Sequence, residues 1–128
     1  MSDKKSVLLV DDDSEFVQAT RQLLEAAGFE VHTAGTGADG IEKAKAIVPN
    51  LIVLDVMMET QTEGFSVNQE IRNMPELRDV PVIMLSGIHG KVDLPYRFQV
   101  EKGWPCATFI EKPILPEELL ASVRKFAR

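Results

Sequence analysis

Two apolar runs, Val7-Leu8-Leu9-Val10 and Leu51-Ile52-Val53-Leu54, limit what this chain can fold into more than any other feature. A strand with one wet face alternates apolar and polar residues. An unbroken apolar run of strand length reads instead as a strand buried on both faces, and such strands belong to parallel sheets covered by helices. Both runs end in acid: Asp11-Asp12-Asp13 follows the first and Asp55 follows the second. Ligands of open α/β sheets sit beyond the carboxyl ends of the strands, where the strand order reverses. Two buried strands that release carboxylates at the same end form a pocket for a hard cation.

The remaining sequence supplies the rest of such a sheet. Phe16, Leu23, Leu24 and Ala27 recur at helical spacing, and Gly28 follows as a stop. Glu30 to Ala34 reads as a short second strand. Thr36 can cap a helix with Ile41, Ala44, Ile47 and Val48 on its apolar face and Asp39 near its positive end, before Pro49-Asn50. Gly64 opens a third helix with Phe65, Val67 and Ile71. Pro81 to Leu85 reads as a fourth strand ending at Ser86-Gly87, and Ala107 to Ile110 as a fifth. Pro116 starts the last helix, with Glu117 and Glu118 at its positive end and Arg124, Lys125 and Arg128 at its negative end. From Val92 to Val100 the apolar residues alternate at the strand period, but Pro95 argues against a central strand, so the topology predicts a short fourth helix starting near Pro95. The whole is a (βα)₅ pattern whose right-handed crossovers place helices on both faces.

Size and charge narrow the function. With 128 residues the chain is read as one domain, 1–128, with no effector domain after Arg128; it either acts alone or is one piece of a longer chain. A net charge of −6 and the lack of an arginine-rich stripe predict no direct nucleic-acid partner. The apolar runs fall short of a membrane span, so no membrane partner is expected. The single Cys106 permits no internal disulfide and fits a reducing cytoplasm.

The five strand ends bring Asp11, Asp12, Asp55, Ser86 and Lys112 to one edge of the sheet. Three clustered acids repel one another unless a cation lies between them, and Mg²⁺ takes a few such oxygens together with water and phosphate. A lysine supplies a point charge for a phosphoryl oxygen, a serine hydroxyl donates a hydrogen bond, and a carboxylate can itself attack phosphorus. Asp13 reads as a capping or solvent-facing residue. His32 and His89 lack partners at metal-ligand spacing and read as structural or surface groups; Cys106 lacks a flanking cation and reads as inert.

Val10-Asp11-Asp12, Leu54-Asp55-Val56-Met57-Met58, Leu85-Ser86-Gly87 and Glu111-Lys112-Pro113 together resemble the signature of bacterial two-component response-regulator receiver domains, in order and in spacing. The resemblance spans essentially the whole chain. It implies a flavodoxin-like, doubly wound five-stranded parallel sheet in the order 2-1-3-4-5, with an irregular or short fourth helix. It also implies that Asp55 accepts a phosphoryl group, that Asp12 and Asp55 ligate Mg²⁺ (or Mn²⁺) directly, that Asp11 holds the ion through water, and that the Met57 carbonyl completes the protein ligands. Ser86 would be the switch hydroxyl, Lys112 the phosphate-binding cation and Phe109 the coupled aromatic. Met57 and Ile88 stand at the rim positions that tune hydrolysis. A cis Lys112-Pro113 peptide, a histidine kinase or phosphotransfer protein as donor, and a downstream protein or homodimer on the 87–127 face are further implications.

Two segments depart from the family pattern. Glu59-Thr60-Gln61-Thr62-Glu63 stands where a proline is usual, and the stretch between Ser86 and Lys112 is longer and carries Trp104-Pro105. Two rivals remain open. A pseudo-receiver, regulated by contacts alone, would lack an acid or the lysine, and none is missing. An aspartate phosphatase places a second acid two residues after its nucleophile as general acid; here that residue is Met57.

Overall fold

A computed structural model of the chain describes residues 4–55, 63–86, 108–111 and 114–127. Among these are strands β1 (Ser6–Val10), β2 (Glu30–Ala34), β3 (Leu51–Asp55), β4 (Val82–Ser86) and β5 (Thr108–Glu111). Helices α1 (Ser14–Ala26), α2 (Gly37–Ile47), α3 (Glu63–Arg72) and α4 (Pro116–Phe126) accompany them. The strands form one parallel sheet in the order β2-β1-β3-β4-β5, as expected. The segment expected to hold the fourth crossover helix lies outside the described residues.

The two apolar runs behave as the period-two geometry of a strand requires. Leu8, Val10, Ile52, Leu54, Val82 and Met84 join one core with Ala44 of α2 and Val67 and Ile71 of α3. Val7, Leu9, Leu51, Val53, Ile83 and Leu85 join the other with Leu24 of α1 and Leu119 and Val123 of α4. Alternate residues of one strand thus feed opposite layers, so the run has no place for a polar residue until the strand ends. Gly40 lets α2 lie close on β1: a Cβ there would meet both Val10 methyls at 3.0 Å.

Local groups set the helix ends, with the N-caps Asp13 and Thr36 at the sheet's carboxyl edge. The Asp13 carboxylate accepts from the Glu15 and Phe16 amides at 3.1 and 3.2 Å and starts α1. Gly28, at φ +99°, closes that helix in a left-handed turn, with Gly28 N–H donating to the Glu25 carbonyl and Phe29 N–H to that of Leu24. Thr36 caps α2 through a 3.1 Å bond from the Asp39 amide. The Arg72 guanidinium, on the last residue of α3, donates to the carbonyls of Arg78 and Val80 and ties down the segment that leads to β4.

Two sequence expectations need correction. Val48 does not join the apolar face of α2: it is the C-cap, 46% exposed, with φ +43°. The reason is Pro49, which disfavours helical backbone at the preceding residue and turns the chain toward β3. The fourth strand is Val82–Ser86 rather than Pro81–Leu85: Pro81 lies just before it, and the ladder continues to the pair Ser86–Glu111. The described part of the fifth strand likewise extends one residue past Ile110.

Candidate metal centre

The register of the sheet builds this site. Asn50 locks the entry of β3 to that of β1: its side-chain oxygen accepts from the Ser6 amide at 2.7 Å and from the Ser6 hydroxyl at 3.2 Å. Val7 then lies opposite Leu51, and Val10 opposite Leu54. The next residue on each strand is an acid. Asp11 and Asp55 therefore become neighbours across strands that lie about 4.8 Å apart.

Asp12 joins them at the start of the β1–α1 turn. One carboxylate oxygen from each of Asp11, Asp12 and Asp55 lies within 4.8 Å of the other two. Asp11 and Asp55 are only 2% and 3% exposed, whereas Asp12 faces solvent. Asp11 is held on both sides: its amide donates to the Ala34 carbonyl at 3.0 Å, and its Oδ1 accepts from the Asp13 amide at 2.9 Å.

This donor set fits a small divalent cation. Mg²⁺ binds oxygens at about 2.1 Å in octahedral geometry, so its ligands stand about 3 Å apart when adjacent and about 4.2 Å apart when opposite. The observed spread needs only a small closing movement to match. Two buried carboxylates give firm attachment, and the exposed third leaves a side open to water or an incoming phosphate. Without a cation, three acids this close in a partly buried site would repel.

The other predicted residues divide into two groups. Ser86 ends β4, one position beyond Leu85, the partner of Asp55, and Phe109 pairs with Met84 on β5. Their backbones are thus placed at and just below the same sheet edge. Lys112, Met57 and Ile88 lie outside the described residues, as do His89 and Cys106. His32 bonds the Glu30 carboxylate at 2.8 Å on strand β2, away from the acids, in agreement with a surface role. One feature had no counterpart in the sequence reading. A cavity of about 260 Å³ adjoins Asp11 and Asp12, walled by Ser14, Gln18 and Arg21 of α1 and by Thr33 to Gly35. The i, i+4, i+7 spacing of those three polar residues was the available signal, and it reads equally well as a solvated helix face.

A doubly wound parallel sheet with three acids gathered at its carboxyl edge defines the class: an α/β domain with a cluster of carboxylates on the ends of β1 and β3 that could hold a divalent cation. The family described as "Response regulator receiver domain" matches residues 7–124, and the chain belongs to it. The chain is 32% identical over 124 residues to the transcriptional regulatory protein GltR of Pseudomonas aeruginosa, covering 97% of this chain and 49% of that protein. It is 27% identical to the polar-differentiation response regulator DivK of Brucella ovis, covering 95% of each. Among solved structures, the chemotaxis protein CheY4 of Vibrio cholerae superimposes with a TM-score of 0.82 at 29% identity, over 96% of this chain and 98% of that one. The chain thus spans about half the length of relatives such as GltR and nearly all of DivK. It is the receiver domain of a two-component response regulator, a regulatory phosphoacceptor class, and its acidic cluster fits Mg²⁺ binding and a phosphorylation site. No helix among the described residues is long and apolar enough to cross a membrane.

Proposed function

We propose that the chain is a phosphorylation-dependent switch that takes a phosphoryl group onto Asp55 from a histidine kinase or phosphotransfer protein. The observation that carries this reading is the burial of Asp55 at the end of β3 with Asp11 and Asp12 within ligand distance. A carboxylate oxygen of Asp55 attacks phosphorus. The P–N bond of the donor's phosphohistidine breaks, and its electron pair returns to the imidazole. Asp12 and Asp55 would hold Mg²⁺, with Asp11 and the Met57 carbonyl as further oxygen donors. When bound, the ion neutralises charge on the transferring group, which is most of what phosphoryl transfer asks of a protein. Lys112 is the cation that would neutralise a phosphoryl oxygen.

The acyl phosphate then draws the Ser86 hydroxyl toward it, and Phe109 follows, shifting a two-state equilibrium on the 87–127 face where a downstream protein or second copy docks. The chain's own chemistry is confined to this transfer and to hydrolysis. The setting is cytoplasmic, consistent with the lone Cys106. Apolar Met57 and Ile88 at the rim hinder an attacking water, so phospho-Asp55 should persist for minutes or longer; decay within seconds, followed by intact mass, contradicts that part of the reading.

The decisive experiment incubates the protein with a small acyl phosphate and Mg²⁺ and weighs it. The expected result is a gain of one phosphoryl group that is absent in Asp55→Asn. No gain with any donor overturns the reading in favour of a switch worked by protein contacts alone.

A further inference from the structure

A second cavity opens on a different face of α1, between that helix and α4. It holds about 170 Å³ and is walled by Phe16, Thr20 and Leu23 of α1, by Pro116 and Leu119 of α4, and by Ile114 just before α4. The i, i+4, i+7 spacing puts the three α1 residues on one face of the helix. None of the walls belongs to the acidic cluster, and none carries a charge. Thr20 contributes the one polar side chain.

Thr20 separates this cavity from a mere gap between helices. It is only 5% exposed, and among the described residues no hydrogen bond engages its hydroxyl. A helical threonine can return its hydroxyl to the carbonyl four residues back, but Thr20 makes no such bond. A buried hydroxyl without a partner costs free energy, so a ligand that supplies one is favoured. Water fits poorly, because a buried water makes about three hydrogen bonds and the other walls offer hydrocarbon side chains. Leu115, which joins Ile114 to Pro116, is 59% exposed, so apolar surface continues from the wall residues into solvent.

We propose that this cavity binds a small neutral ring carrying one hydroxyl group, of which phenol is the simplest case. Volume sets the size: an apolar cavity of about 150 Å³ admits benzene, so one of about 170 Å³ admits one ring and not two. Walls without charge favour a neutral molecule over a carboxylate or an amine. The Phe16 ring offers an aromatic partner for edge-to-face contact. The ligand's hydroxyl meets that of Thr20, where either group can donate and either can accept. A molecule seated here touches both α1 and α4, which already share one core layer through Leu24, Leu119 and Val123. Its binding ties those two helices together.

Titration of the whole protein with phenol and with toluene, followed by amide NMR shifts, tests the site. Toluene keeps the ring and lacks the hydroxyl. Phenol should move the amides of Phe16, Thr20, Leu23 and Leu119, with a dissociation constant of about 1 mM. Thr20→Val keeps the shape and removes the hydroxyl, so it should weaken phenol about three- to tenfold and leave toluene unchanged. Ala19 stands on the same wall and is exposed, so Ala19→Leu should fill the cavity without disturbing the core and abolish binding of both. Shifts that survive Ala19→Leu place phenol elsewhere and overturn the proposal. A phenol affinity indifferent to Thr20→Val overturns it too, as does the lack of any shift at about 10 mM phenol.

Discussion

Three consecutive acids, Asp11-Asp12-Asp13, do three different jobs, and residue identity alone does not separate them. Asp11 is buried and spends one oxygen on the Asp13 amide; Asp12 is exposed; Asp13 caps α1. Only the first two join Asp55. Asp12→Ala should therefore weaken Mg²⁺ binding about tenfold or more, as loss of a ligating group does. Asp13→Ala should instead cost about 1 kcal/mol of stability through the lost cap, with a much smaller change in Mg²⁺ affinity. Calorimetric titration with Mg²⁺ and urea unfolding of both variants check the pair. Equal loss of affinity in the two would mean that Asp13 belongs to the ion site after all. Asp13 was read correctly from sequence because three carboxylates in a row cannot all turn toward one ion while a helix start beside them needs an acceptor.

At the scale of elements, the unusual joint is the α2–β3 connection. Val48 adopts φ +43°, a region that costs an L-residue about 1–2 kcal/mol and suits a β-branched one least. Its side chain is too exposed to recover much of that through burial. Val48→Asn should raise stability by about 0.5–1 kcal/mol, seen as a higher urea midpoint at constant m-value. A lower midpoint would show that the valine contributes packing that its exposure conceals. The helix pattern through Ile41, Ala44 and Ile47 made Val48 look like the next core position. Periodicity records which residues could share a face; it does not register that Pro49 ends the helical backbone first. The caps at Asp13 and Thr36 and the stop at Gly28 were legible because each acts on backbone groups within a few residues.

For the molecule as a whole, the candidate metal site spans β1 and β3, so its occupancy should report on global stability. An ion that binds only the folded state adds about 1.4 kcal/mol at ten times its dissociation constant, which for a domain of this size is a rise of about 4–6 °C in melting temperature. Mg²⁺ should produce that rise in the wild type, a chelator should remove it, and Asp12→Ala should show little of it. A melting temperature indifferent to Mg²⁺ would mean that the three acids do not close on an ion.

The fold class was readable from the two unbroken apolar runs, because only a strand covered on both faces tolerates apolar residues at every position. The acids were readable too, since a carboxylate straight after such a strand must emerge at the sheet's edge. What the linear chain could not decide was adjacency. That Asp55 stands beside Asp11 depends on the Asn50–Ser6 lock and the Val10–Leu54 register, contacts between residues 44 apart in the chain. The cavity next to them depends on β2 lying on the far side of β1 from β3. Residue type and local spacing set what each group can do. Which groups act together was decided by strand order and register, because these place in contact side chains that no local interaction connects.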